Sequence, residues 1–131
     1  MDTETEVAEI EIDAAADAVW AVAGDFGGIG WMPGIESVTV DGDIRNISMG
    51  GMDIAEKLVG RDDEKQQITY SIVGGPVPLD FHEATISVMA AGDGARVSWS
   101  VTAAPTGSAA FLAGIYGGAL QALKAKVEAG D

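Results

Sequence analysis

Three side chains on predicted strands could do chemistry that apolar packing does not require. Glu56, Tyr70 and His82 fall on the same strand faces as their apolar neighbours, because successive side chains of a strand point to opposite faces. A buried carboxyl and a nearby imidazole can both be tuned toward a neutral pKa and can then exchange protons with a bound molecule. These residues are therefore candidates for general acid/base work or for ligand contacts.

Glu56 and His82 also have structural interpretations. An unpaired charge on an apolar face costs several kcal/mol, so Glu56 could instead form a salt bridge with Arg45 or Lys57. His82 is the only histidine of the chain and could be a core or rim imidazole whose hydrogen bonds are satisfied within the protein. The sequence leaves both alternatives open.

Several kinds of active site are excluded by missing motifs. The chain has neither the glycine-rich phosphate loop that ends in Lys-Ser/Thr nor the Gly-x-Ser-x-Gly elbow of serine hydrolases. It has no cysteine and one histidine, so thiolate catalysis, cysteine-bound zinc and two-histidine metal sites drop out. We therefore expect no cofactor and no metal.

The charge balance argues against polyanionic partners. Asp and Glu number 21 against 7 Lys and Arg, so the formal net charge is -14. Nucleic acids and anionic membrane surfaces require basic faces, and no apolar run approaches the roughly 20 residues needed to cross a bilayer. The acidic start of the chain lacks the features of a secretory signal. We expect a cytoplasmic protein that binds no nucleic acid and has no stable membrane association. The acidic surface fits either ordinary solvation or a salty cytoplasm.

The elements that must hold these residues begin with a strand and a helix. Residues 7–13 alternate in polarity, which predicts a half-buried strand. Apolar residues then recur at helical spacing from Ala16 to Ala23, after Asp13 as a possible cap, until Gly24 ends the run. The glycine-rich segment 25–34 is interpreted as a second, broken helical turn or as a loop, and the helical turn is the choice adopted here. The predicted order thus has two short helices after the first strand.

The pattern of the sequence after residue 34 predicts an antiparallel meander followed by one long helix. Glycine- and aspartate-rich turns divide it into strands near residues 35–40, 44–49, 52–60, 66–73, 80–91 and 95–103. A helix over 107–128 follows, with Thr106 or Ser108 as its cap and a single apolar stripe. A single domain covering residues 1–131 is expected, because this length suffices for one hydrophobic core.

Many short motifs along the chain, in this order and spacing, carry a family resemblance. They are Ile12-Asp13-Ala14, Val19-Trp20, Asp25-Phe26, Trp31, Pro33, Ile54, Glu56-Lys57-Leu58, Asp62-Asp63, Tyr70-Ser71-Ile72, Gly75-Pro76, Ala84-Thr85, Val97-Ser98-Trp99 and Leu120 to Lys124. Together they resemble the START-like, helix-grip superfamily, in particular its bacterial polyketide cyclase/dehydrase and lipid-transport branch. The resemblance covers nearly the whole chain.

The resemblance implies an α+β helix-grip fold: a seven-stranded curved antiparallel sheet wrapped around a long C-terminal helix, with an apolar cavity between them. Across the superfamily such cavities hold lipids, polyketides, sterols or plant hormones. The first interpretation is therefore binding or transport of a small hydrophobic molecule. A polyketide cyclase or dehydratase using Glu56, His82 and Tyr70 is one alternative, and a ligand-responsive interaction module is another. The hormone receptors' ligand-binding lysine is replaced here by Glu36, and their gate and latch motifs are absent.

The predicted cavity wall combines inward strand positions, the apolar helix stripe and the loop at the mouth. It comprises Trp31, Met49, Glu56, Tyr70, His82, Trp99, Phe111 and Tyr116. Glu36 and Glu56 are both placed inward, with Arg45 as the only nearby cation. The cavity is therefore expected to be neutral to negative and to favour an uncharged ligand over an anion.

Overall fold

One antiparallel sheet and one long helix dominate the fold, which comes from a computed structural model describing residues 2–76 and 78–130. In chain order the elements are β1 (Glu4–Ile12), α1 (Ala16–Ala23), β2 (Ile35–Asp41), β3 (Ile44–Met49), β4 (Met52–Asp62), β5 (Gln67–Gly74), β6 (Phe81–Ala91), β7 (Gly94–Ala104) and α2 (Ser108–Glu128). The predicted α+β helix-grip fold is confirmed.

The seven strands lie in the order β1-β7-β6-β5-β4-β3-β2, and every neighbouring pair is antiparallel. The expected pairing of β5 with β6 is present, with Gln67–Tyr70 opposite Ser87–Ala84. Beyond Tyr70 the two backbones have no further paired residues, so the sheet opens at this point. The opening lies beside the residues that the sequence marks for chemistry.

Helix α2 covers only part of the sheet. Leu120 and Leu123, on its C-terminal half, are almost completely buried, and the helix packs on β1 and β7. Burying one leucine side chain contributes about 1.5–3 kcal/mol, so this half ties the helix down. In the described part of the chain, α2 makes no comparable contact with β2 to β5. A space therefore remains between the N-terminal half of α2 and those strands.

The second short helix is not formed, and the prediction of two helices is wrong. Only α1 is helical after β1, and residues 25–34 form bends and turns. Glycine costs about 1 kcal/mol relative to alanine in a helix, and this segment contains Gly27, Gly28, Gly30 and Gly34. Gly24, which ends α1, allows close approach of Trp20, because a Cβ there would lie 2.7 Å from the indole.

Neither predicted cap is used. Helix α1 begins after Ala15 and α2 begins after Gly107, and neither residue makes a side-chain capping bond. The Asp13 N–H instead donates to the Glu128 carboxylate, which joins the end of β1 to the last turn of α2.

Candidate functional site

A cavity of about 210 Å³ lies between α2 and the β2–β5 part of the sheet. Its wall is formed by Ile29, Met32, Ile35, Arg45, Ile47, Met49, Met52, Ile54, Glu56, Tyr70, Ile72, Phe111, Leu112, Ile115 and Tyr116. The wall is apolar apart from four side chains, those of Arg45, Glu56, Tyr70 and Tyr116, and all four are buried. The cavity therefore has a polar inner end.

Five of the eight predicted wall residues line this cavity and three do not. Met49, Glu56, Tyr70, Phe111 and Tyr116 belong to its wall. Trp31, His82 and Trp99 lie outside the wall, so their placement there is corrected. A ligand contact by any of the eight remains a prediction.

Arg45 and Glu56 form a buried ion pair at the inner end. They are direct neighbours on β3 and β4, and the pairing of β4 with β5 shifts register between Ala55 and Glu56, where β5 holds the extra residue. The Arg45 Nε and Nη2 atoms lie 2.8 Å and 2.7 Å from the same carboxylate oxygen, Oε1. Arg45 also donates to the Phe26 carbonyl oxygen at 2.9 Å and lies over the rings of Phe26 and Tyr70. Of the two structural alternatives for Glu56, the structure shows pairing with Arg45.

The second carboxylate oxygen of Glu56 remains available. Among the described residues Oε2 has no hydrogen-bond partner, and Glu56 belongs to the cavity wall. Burial raises the pKa of Glu56 above its usual value, and the adjacent Arg45 opposes that rise. In the ionised pair the two charges cancel, although one oxygen still presents its lone pairs to a ligand.

Glu36 does not face the cavity, so its inward assignment is wrong. It is exposed, whereas its neighbour Ile35 belongs to the wall. The register of β2 against β3 shifts between Ile35 and Ser37, and such an irregularity interrupts strict alternation. The inner end therefore holds one carboxylate, that of Glu56, and the charge of Arg45 compensates it.

His82 supports the wall from behind. Its Nδ1 accepts the backbone N–H of Ile72 at 3.0 Å, where β5 and β6 have parted, and its Nε2 lies 3.0 Å from the Tyr116 hydroxyl oxygen. Because Nδ1 is an acceptor, the ring proton is on Nε2 and is donated to Tyr116. Burial lowers the pKa of His82 to about 4. His82 is thus a neutral core imidazole with a hydrogen bond at each nitrogen. This matches the structural interpretation of His82 rather than a direct ligand contact.

Trp99 also acts from behind the wall. Its Nε1 donates to the Tyr70 hydroxyl oxygen at 3.1 Å, and its ring stacks on that of Tyr116 with centroids 4.2 Å apart. Burial raises the pKa values of Tyr70 and Tyr116, so both phenols stay protonated at neutral pH. Trp31 lies beside a separate space of about 10 Å³, and its buried Nε1 has no partner among the described residues.

The isoleucines that provide much of the apolar wall were not chosen from the sequence. They are Ile29, Ile35, Ile47, Ile54, Ile72 and Ile115. The sequence did contain a signal for the strand members. Ile47 lies two residues before Met49, and Ile54 lies two residues before Glu56, so each isoleucine points to the same face of the sheet as a predicted wall residue. Nothing in that alternation distinguishes an isoleucine that faces a cavity from one that is covered by a helix.

Two further features bear on the kinds of site that are present. Within residues 2–76 and 78–130, no cluster of three or more His, Asp or Glu side chains could hold a metal ion. No helix in those ranges is long and apolar enough to cross a membrane.

Comparison with known proteins gives a family match over most of the chain. The model for the family described as "Polyketide cyclase / dehydrase and lipid transport" matches residues 4–128. A search of curated protein sequences finds no match.

Solved structures match over nearly their whole length. An uncharacterised protein from Bacillus thuringiensis has a TM-score of 0.88 and 27% identity, over 95% of this chain and 98% of that one. The protein XoxI from Bacillus cereus has a TM-score of 0.84 and 28% identity, over 97% and 96%. Norcoclaurine synthase from Thalictrum flavum, solved with dopamine and hydroxybenzaldehyde, has a TM-score of 0.79 at 19% identity, over 99% and 89%. That last likeness shows the fold alone.

Proposed function

The chain belongs to the polyketide cyclase/dehydrase and lipid transport family of the START-like superfamily, and we propose that it binds or carries a small, uncharged, mostly apolar molecule. The observation that carries this proposal is the cavity beside α2. Its wall is apolar except at a buried end, where an ion pair and two protonated phenols are placed together. A few convergent polar groups in an apolar cleft are typical of small-molecule sites.

The cavity volume favours a compact ligand. At about 210 Å³ it is below the roughly 300–1,000 Å³ typical of pockets for drug-sized molecules. A molecule of about two fused rings suits such a space better than a long acyl chain. Exposed apolar side chains of Phe111, Ile115 and Met52 surround the outer end and would cover the ligand there.

The charges at the inner end favour a neutral ligand. Arg45 already donates to Glu56 and to a backbone carbonyl, and its guanidinium carbon lies 4.4 Å and 4.8 Å from the ring centres of Phe26 and Tyr70. An anion would meet the free Oε2 of Glu56, and it would also lose its hydration. A neutral molecule has neither cost.

One observation favours the cyclase or dehydratase alternative. Glu56 lines the cavity, and the phenols of Tyr70 and Tyr116 share that end, so a base and a proton donor could face one substrate. We place binding first because His82 has both nitrogens engaged behind the wall, and Tyr70 and Tyr116 have raised pKa values. A cytoplasmic location and the absence of a nucleic-acid partner remain predictions from the sequence alone.

The proposal is tested by titrating the purified protein with naphthoic acid and with its methyl ester at pH 7, using calorimetry. The ester should bind at least about tenfold more tightly, which corresponds to about 1.4 kcal/mol. Glu56→Gln should narrow the difference, because it removes the carboxylate and leaves Arg45 free to attract the acid. Glu36→Gln removes the same charge from an exposed strand position and should leave the ratio unchanged.

The opposite results are equally clear. If neither compound binds, and native mass spectrometry of the fresh protein finds no small molecule, the binding proposal is wrong. If the acid binds more tightly than the ester to the unaltered protein, the positive charge of Arg45 dominates the inner end, and the proposed preference for an uncharged ligand is wrong. Turnover of an enolisable ketone that disappears in Glu56→Gln would favour the enzyme alternative.

A further inference from the structure

The two phenols at the inner end each accept a hydrogen bond from a group that can only donate. The indole N–H of Trp99 has no acceptor function and points at the Tyr70 oxygen at 3.1 Å. The imidazole of His82 is fixed as a donor toward Tyr116, because its other nitrogen accepts the Ile72 N–H. Neither phenol can therefore use its own proton in the bond that holds it from behind.

Two phenol protons thus remain to be placed. A hydrogen bond between the two hydroxyls would use only one of these protons, because a hydroxyl has a single proton to donate. The other proton has no acceptor in the structure, because no hydrogen bond within the described residues joins either phenol to Glu56. Since both phenols line the cavity, this proton is available to a bound molecule.

We infer that the ligand inserts a neutral hydrogen-bond acceptor, such as a ketone or ester carbonyl, and that the Tyr70–Tyr116 pair donates to it. The inference rests on the proposed function and specifies the chemistry of the ligand. A saturated hydrocarbon of the same shape would leave the spare proton unpaired or hydrated. A carboxylate would accept the proton but would be repelled by Glu56.

Surrounding groups keep this donor in place near neutral pH. Burial holds the pKa values of both tyrosines above their usual range, so the phenol protons are retained. Stacking on Trp99 fixes the Tyr116 ring, and the bonds from Trp99 and His82 fix the oxygens. The donor is therefore oriented before the ligand arrives, which reduces the entropy lost on binding.

The test compares α-tetralone with tetralin, which share a bicyclic skeleton and differ by one carbonyl. Calorimetry with the full chain at pH 7 should show tetralone binding about five- to tenfold more tightly, the usual net effect of one neutral hydrogen bond. In the double variant Tyr70→Phe/Tyr116→Phe the ratio should fall to about one, with tetralin affinity retained.

A matched control removes two hydroxyls from the other face of the same sheet. Thr69 and Thr85 are hydrogen-bonded to each other at 2.8 Å on β5 and β6, and neither lines the cavity. Thr69→Val/Thr85→Val should therefore leave the ratio of the two affinities unchanged. An altered ratio in this control would mean that the preference comes from the sheet geometry rather than from the phenols, and would overturn the inference.

Other outcomes separate the inference from the proposed function. Equal affinities in the unaltered protein would overturn the inference alone, whereas no binding of either compound would overturn the proposed function with it. A ratio that persists in the tyrosine double variant would place the donor elsewhere. Should that variant fail to fold, infrared spectroscopy of isotope-labelled tetralone bound to the unaltered protein decides. A carbonyl stretch shifted below its value in hexane supports the inference, and an unshifted one contradicts it.

Discussion

The two halves of α2 differ in what lies beneath them. In the C-terminal half, Leu120 and Leu123 are 1% and 0% exposed over β1 and β7. In the N-terminal half, Phe111 and Ile115 are 70% and 45% exposed and lean over the cavity. Both halves carry an apolar stripe with buried residues, but only the N-terminal half contributes side chains to the cavity wall. The packed half anchors the helix, and the open half leaves room for a ligand.

The sheet shows the same division. Val97 and Val101 of β7 are fully buried, whereas Met49 and Met52 at the β3–β4 turn remain partly exposed at the cavity. Flexible thioethers suit a wall that adapts to a ligand, and branched side chains suit a closed core. Stability and binding should therefore respond to different substitutions.

The largest expected effect comes from a cavity created in the packed half. Leu123→Ala should lower the free energy of unfolding by about 2–5 kcal/mol, because Leu123 is fully buried and its neighbours can relax only partly. Ile115→Ala, in the N-terminal half of α2, should lower the free energy of unfolding by less than about 1 kcal/mol and should weaken tetralone binding. Urea denaturation and calorimetry measure the two effects. Equal losses of stability would remove the distinction between the halves.

A smaller effect is expected at the boundary between the halves, where His82 holds Tyr116. Between pH 6.5 and about 4 the unfolded chain binds a proton at this histidine and the folded chain does not, so stability falls as the pH falls. The loss is at most about 3 kcal/mol. His82→Gln should remove this part of the acid dependence.

Comparing the unaltered protein with the His82→Gln variant at each pH isolates the contribution of His82 to the free energy of unfolding. Glu56 has a raised pKa and acts in the opposite direction, since its folded form binds the proton more tightly, but it is present in both proteins. Urea denaturation of each protein at several pH values gives the difference. Parallel pH profiles would show that His82 titrates equally in the folded and unfolded chains.

The smallest effect is expected on the exposed face of the open half. A Cβ at Gly114 would have no atom within 4 Å, so alanine fits without a clash. Gly114→Ala should raise the free energy of unfolding by about 0.5–1 kcal/mol through helix propensity and should leave tetralone affinity unchanged. Thermal unfolding and calorimetry provide the check. A loss of affinity would show that binding requires flexibility in this half.

Much of the fold could be predicted from the sequence because its signals are local. The turns at Gly50-Gly51 and Gly92-Asp93-Gly94 and the alternation between them defined the strands, and one stripe defined α2. The predicted second helix over 25–34 was wrong because the four glycines of this segment disfavour a helix. The inward placement of Glu36 was wrong because one irregularity in β2 interrupts the period.

The site was predicted less well, for a geometric reason. Trp99 and His82 do lie on the inner face of the sheet, as the alternation indicated, but they are buried behind Tyr70 and Tyr116. Alternation identifies a face of the sheet, and it does not tell which part of that face a helix covers. Arg45 was considered as a partner for Glu56 and as the only cation near the inward glutamates, but it was not chosen as a wall residue, although it is part of the cavity wall.

The sequence by itself determined the order of the strands and the long helix, the inner face of most strands and the acidic charge, because these depend on neighbouring residues. The tertiary structure alone decided which inner side chains face a cavity, because that depends on where α2 lies across β1 and β7. It also decided the direction of proton donation at Tyr116, because the Ile72 N–H reaches His82 only where β5 and β6 separate. Those contacts join residues that are distant along the chain, and no local pattern encodes them.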